Sequence, residues 1–168
     1  MIHIAVATED DIDRILEIER EAISPPWTHG TLLSELYRDD SFFAVAKNNS
    51  QFIIHNSQLG TKDVNTEFGM GDETVCGFVI LRCIADDGEL LQIAVDKAAR
   101  RRGVADLLMG AAFRYASEHA LKSVFLEVRA SNDAAISLYK KHGFKPVRQR
   151  KGYFDQPIED AIVMEAQW

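Results

Sequence analysis

Apolar positions recur along this chain with two periods, three to four residues and two, and the period changes at identifiable stops. Met1–Ala7 (MIHIAVA) is strand-like, and Thr8 followed by Glu9, Asp10 and Asp11 reads as a capped, acidic helix start. In that helix Ile12, Ile15, Leu16 and Ile18 form one apolar stripe. Pro25 and Pro26 break it, and Thr28 offers a cap for a second helix carrying Leu32, Leu33 and Leu36. Phe42–Lys47, Val75–Ile84 and Glu89–Val95 read as strands, after which Val104, Leu107, Leu108, Ala111, Ala112 and Tyr115 return to helical spacing. Ser123–Val128 is a further strand and Asp133–His142 a short helix, and strand-like runs around Phe144–Tyr153 and Asp160–Trp168 finish the chain. Strands and helices in mixed order with an all-strand ending predict an α+β fold, a mixed sheet covered by helices, in one domain over residues 1–168.

One link stands out by length. Residues 47–74, between the second and third strands, are rich in Asn, Gly and Asp and long for a compact domain. QFIIHN inside it has strand character of its own, and the whole reads as a surface insertion rather than a lid or docking loop.

Composition narrows the class. With 46% hydrophobic and 27% charged residues over 168 positions, the chain is ordinary soluble globular material. No apolar run approaches the roughly 20 residues of a membrane span. The N-terminus has no cationic stretch ahead of an apolar one, so no signal peptide and no membrane partner are expected. Cys76 and Cys83 lie in one strand-like run at an odd offset, which predicts opposite sheet faces, no disulfide and no shared metal. Reduced thiols in a cytoplasmic protein is the simplest reading. A net charge of −7 weighs against direct nucleic-acid binding. It suits a basic protein or peptide partner, and suits plain solubility equally.

Against that acidity stands "LLQIAVDKAARRRGVADLL", where three arginines meet the start of a helix. Gly103 lets a ligand approach the backbone, and the free N–H groups of a first helical turn attract anions. A solvated basic turn is the bland alternative. Neither G-x-x-x-x-G-K-[ST] nor a strand followed by G-x-G-x-x-G is present.

The run R-x-x-G-x-A (Arg100, Gly103, Ala105) after LLQIAV resembles the acyl-CoA pyrophosphate loop of the GNAT N-acetyltransferase superfamily. "FLEVRASNDAAISLYKKHGFKPV", "IEREAISPPWT" and "RKGYFDQPIEDAIVM" resemble more specifically its ribosomal-protein-alanine N-acetyltransferase (RimI) branch, over nearly the whole chain apart from the insertion. The resemblance implies a GNAT fold: a mixed, mostly antiparallel seven-stranded sheet with helices on both faces and splayed parallel central strands. It implies acetyl-CoA as cosubstrate and no metal. Backbone groups of Ile93, Ala94 and Val95 would pair with the pantetheine arm as an added strand would. An amide near Ala94 would donate to the thioester oxygen. Arg100, Arg101, Arg102, Gly103, Val104 and Ala105 would hold the pyrophosphate, and Asn132 would touch the cofactor besides being a natural helix cap.

Two side chains carry the implied chemistry. Glu127 shares a strand face with Phe125, and an acid in so apolar a strand is costly unless solvated, paired or working. By resemblance it is the general base; an ion pair with Arg129 on the same face is the alternative. Tyr139 lies on an apolar helical stripe, where a core role is usual, and by resemblance it protonates the departing thiolate.

The acceptor is less sharply marked. A protein α-amine with a pKa near 8 is about a tenth neutral at pH 7, a lysine at about 10.4 under a thousandth. One carboxylate suits the former better. The resemblance implies the N-terminal alanine of a basic small-subunit ribosomal protein, approached through Ser24–Trp27 and the turn from Arg150 to Asp160, by a monomer or weak dimer. Trp27 is equally readable as a packing residue. Gly152-Tyr153-Phe154 stands where the relatives often carry Asn-Tyr-Tyr, which keeps lysine or small-molecule acetylation open. A non-catalytic CoA-binding module is the other reading.

Overall fold

The computed structural model describes residues 1–49 and 73–167, so the QFIIHN strand and the character of the insertion lie outside the described residues. Among the described residues, seven strands form one sheet in the order β1-β2-β3-β4-β5-β7-β6. They are β1 (Ile2–Val6), β2 (Ser41–Asn49), β3 (Glu73–Ile84), β4 (Asp87–Val95), β5 (Ser123–Arg129), β6 (Lys145–Asp155) and β7 (Ile158–Gln167). Every neighbouring pair is antiparallel except β4 and β5.

Helices α1 (Ile12–Ala22) and α2 (His29–Leu36) cover one face, α3 (Val104–Glu118) and α4 (Asp133–Lys141) the other. The stripe foreseen in α1 is buried, with Ile12, Ile15, Leu16 and Ile18 against Phe43, Phe78 and Ile80. Each such side chain removed from water contributes roughly 1.5–3 kcal/mol. Thr8 and Asp11 make the reciprocal capping box at the helix entry, and Thr28 Oγ1 accepts the Thr31 N–H at 3.2 Å.

Two β-bulges reset which way side chains point. The β2–β3 register passes from Ala46↔Gly77 to Lys47↔Val75, leaving Cys76 as an extra residue. Cys76 and Cys83 therefore pack on the same face, against the α3 cluster, and not on opposite faces as their spacing predicts. Both are free thiols, roughly 20 Å apart along the strand. In β4 the register jumps from Ile80↔Gln92 to Leu81↔Leu90, so Leu91 is extra.

The central feature is where β4 and β5 part. They pair only over Asp87–Glu89 and Ser123–Phe125. Beyond that β4 stays with β3 as far as Val95, and β5 stays with β7 as far as Arg129. Gly77 lets α3 close down on this region: a Cβ there would lie 2.9 Å from the Ala94 carbonyl oxygen and 3.1 Å from Leu108.

Candidate active site

The expected anion turn is built as a shaped loop. At the end of β4, Asp96 accepts the Ala98 N–H at 2.7 Å and starts a short 3-10 turn over Lys97–Ala99. Arg101 (φ 62°) and Gly103 (φ 79°) then take left-handed conformations, turning successive N–H groups to one side. The first α3 hydrogen bond runs from the Leu107 N–H to the Gly103 carbonyl, which leaves the N–H groups of Val104, Ala105 and Asp106 unspent by the helix. A Cβ on Gly103 would meet nothing within 4 Å, so the approach is open. Arg101 and Arg102 are exposed and make no ion pair among the described residues. The Val104 side chain is buried and offers only its backbone outward.

On the side toward β5, the six residues Leu90–Val95 of β4 have no strand paired with them. In an antiparallel ladder, peptide groups point alternately to one neighbour and the other. The Asp96 N–H is bonded to the Cys76 carbonyl of β3, which turns Asp96 and Ala94 toward β3 and Ile93 and Val95 toward the gap. Ala94 thus departs from expectation: its amide belongs to the sheet, and the Ile93 N–H and carbonyl and the Val95 N–H are left facing the gap. The Val95 carbonyl already accepts the Arg100 Nε at 3.1 Å, tying the strand end to the basic turn.

Glu127 stands on the β5 side of the gap. A cleft of about 350 Å³ opens beside it, lined by Asp87, Glu89, Phe125, Glu127, Arg148 and Val163 among others. Its ion-pair partner is Arg150, not Arg129. Strand β7 lies between β5 and β6; Arg150 is opposite Ala161 and Glu127 opposite Val163, so the guanidinium reaches Glu127 diagonally across β7. That guanidinium also lies 4.1 Å from the centre of the Tyr153 ring. The Glu127 carboxylate beside Tyr153 raises the pKa of that phenol, as does partial burial.

Tyr139 comes from the opposite face. It is buried, edge-on to Phe144 with ring centres 5.8 Å apart, and burial pushes its phenol up to about 12. Asn132 caps α4, its Oδ1 accepting the Ala135 N–H at 3.1 Å, so its amide nitrogen is the part left for another contact.

Residues 12–144 match the acetyltransferase (GNAT) family. The chain belongs to this family. It is 30% identical over 164 residues to a [ribosomal protein bS18]-alanine N-acetyltransferase of Haemophilus ducreyi, covering 96% of this chain and 97% of that one. It is 31% identical over 159 residues to an N-alpha-acetyltransferase of Saccharolobus solfataricus, covering 94% and 88%. The crystal structure of the ribosomal-protein-S18-alanine N-acetyltransferase from Escherichia coli superimposes with a TM-score of 0.79 at 25% identity, covering 99% of this chain and 94% of that one.

Sequence reasoning missed a buried acid that braces the elements beside this region. Glu19 of α1 is fully buried, and its Oε1 accepts the Trp27 N–H at 2.7 Å and the Gln92 Nε2 at 2.9 Å. It joins the link between α1 and α2 to the bulged part of β4. The signal was present: Glu19 follows Ile12 and Ile15 at seven and four residues, an acid in the apolar stripe. Trp27 packs partly buried against the same cluster, so its packing role is real.

Proposed function

We propose that this chain transfers the acetyl group of acetyl-CoA to the α-amine of a protein N-terminus, that of an alanine on a basic small-subunit ribosomal protein. The observation that carries the reading is the bare edge of β4. It runs from the Arg100–Ala105 turn, which suits a pyrophosphate, along the gap whose β5 side carries the Glu127 carboxylate. The names of the Haemophilus ducreyi and Escherichia coli relatives support the acceptor.

Acetyl-CoA, when bound, supplies an acyl carbon activated as a thioester. The N–H groups of Val104, Ala105 and Asp106 with Arg101 and Arg102 bind its phosphates, and the peptide groups of Ile93 and Val95 align its amide-bearing arm. Glu127 removes a proton from the acceptor ammonium, directly or through a water, leaving a nitrogen lone pair to attack the acyl carbon. An N–H on the open edge of β4 donates to the carbonyl oxygen as it gains charge. The nitrogen of the addition product releases its second proton to solvent, and as the C–S bond breaks Tyr139 donates a hydrogen bond from its O–H to the departing thiolate. The acceptor ammonium replaces the Arg150 guanidinium beside Glu127, one cation for another.

An acetyl-transfer assay on N-terminal peptides of ribosomal proteins, with products located by mass spectrometry, tests this. The α-amine of a peptide beginning with a small residue and continuing with basic ones should be modified, and its lysines spared at neutral pH. Acetyl groups found mainly on internal lysines would overturn the reading.

A further inference from the structure

Arg129 lies two residues beyond Glu127 on the same face of β5, roughly 7 Å along the strand, and touches nothing the proposed chemistry uses. Among the described residues, its guanidinium nonetheless makes four side-chain hydrogen bonds. Nη2 donates to the Ser24 carbonyl at 3.0 Å and the Gln156 carbonyl at 2.9 Å. Nη1 donates to the Pro157 carbonyl at 3.1 Å and to Glu159 Oε2 at 3.2 Å. The same group lies 4.3 Å from the centre of the Phe154 ring. Glu159 also accepts the Ser131 N–H at 2.7 Å, and the Ser131 side chain, that N–H and Arg129 together hold its carboxyl below the usual range.

These contacts join two segments far apart in sequence. Ser24 lies in the link between α1 and α2, and Gln156 and Pro157 form the turn between β6 and β7. Among the described residues no hydrogen bond joins the link to the turn directly; they meet through this one guanidinium. The link is fixed at its other end as well, where the Trp27 N–H is held by the buried Glu19. A planar fork of donors can serve three carbonyls on two segments at once, which a lysine ammonium on a flexible stem cannot reproduce.

We infer that Arg129 is a positioning residue for the acceptor: it holds the α1–α2 link and the β6–β7 turn at a fixed separation over the Glu127 face without touching the acceptor. This rests on the proposed function together with the approach that the family resemblance implies, past Ser24–Trp27 and the Arg150–Asp160 turn. Losing the fork frees both together, so the acceptor is bound in fewer productive poses while the cofactor turn, on another part of the sheet, is untouched.

Two readouts separate the inference from a general folding role and from failure of the functional proposal. Amide hydrogen exchange compares residues 24–28 and 155–159 with the β5–β7 ladder in the wild type, Arg129→Met, Arg129→Lys and Glu159→Gln. Steady-state kinetics on an acceptor peptide accompany it, with CoA affinity by calorimetry. Arg129→Met should deprotect both segments together and raise the acceptor KM about tenfold or more, with CoA affinity unchanged. Arg129→Lys should fail to restore both segments, and Glu159→Gln, which keeps the carbonyl bonds, should give a smaller change of the same kind. Unchanged exchange in either segment overturns the inference. So does a loss in which CoA affinity and thermal stability fall together while acceptor KM stays constant. If the wild type modifies no peptide N-terminus, the proposed function fails, and the exchange data alone still decide whether Arg129 fixes the two segments.

Discussion

Tyr139→Phe separates packing from chemistry, because phenylalanine keeps the ring against Phe144 and removes only the hydroxyl. Burial raises the phenol from 10.0 to about 12. Two pH units at 1.36 kcal/mol each mean that ionising it costs about 2.7 kcal/mol more in the folded protein than in the unfolded chain. The folded pKa is the higher one, so this difference in stability is whole below pH 10 and is lost as pH rises through about 12. The stability of the wild type relative to Tyr139→Phe should therefore fall by up to about 2.7 kcal/mol over that interval. A thiol of ordinary pKa, near 8.5, makes full transfer of the phenolic proton uphill by roughly 3.5 pH units, or about 4.8 kcal/mol. Tyr139 then serves best as a hydrogen-bond donor to the developing thiolate, a charge-assisted bond worth roughly 1.5–3 kcal/mol. The predicted loss in kcat for Tyr139→Phe is roughly 10- to 150-fold, with acceptor KM little changed and no recovery up to pH 9. Spectrophotometric titration of tyrosinate in wild type and variant, with kcat measured across pH, checks both halves. A fully active variant would refute the role in turnover. A wild-type protein whose tyrosines all ionise near pH 10 while it remains folded would refute the buried-phenol argument behind it.

Glu127→Gln should lower turnover by roughly 10²-fold or more with CoA affinity nearly unchanged, and recover partly at high pH, where more acceptor amine is already neutral; a flat relative rate across pH would count against proton removal by Glu127. Gly103→Glu should abolish CoA binding in calorimetry by placing a carboxylate, in a strained φ of 79°, where phosphate is expected. Gly103→Ala should cost only that strain, about 1 kcal/mol, and equal affinity for the two variants would remove the turn from the cofactor site.

The sequence by itself determined the elements and their order, because the apolar stripes of α1 and α3 and the alternation along the strands are local properties of a chain that must bury one face. It also carried the turn proposed to hold the cofactor, since glycine at a left-handed position and bare amides at a helix start lie within six consecutive residues, Arg100–Ala105. What it left undecided were contacts across strands. Glu127 pairs with Arg150, which reaches diagonally across β7, while Arg129 is taken up by Glu159 and three backbone carbonyls, and strand order is not written in either segment. The faces of Cys76 and the direction of the Ala94 amide depended on bulges and ladder parity, which one extra residue inverts without changing the hydrophobic pattern. Arg129 and Glu19 look in sequence like a surface cation and a stray acid. Only tertiary packing brings their distant backbone partners within hydrogen-bond range, because each partner is a carbonyl or N–H that every residue carries and no side-chain pattern announces.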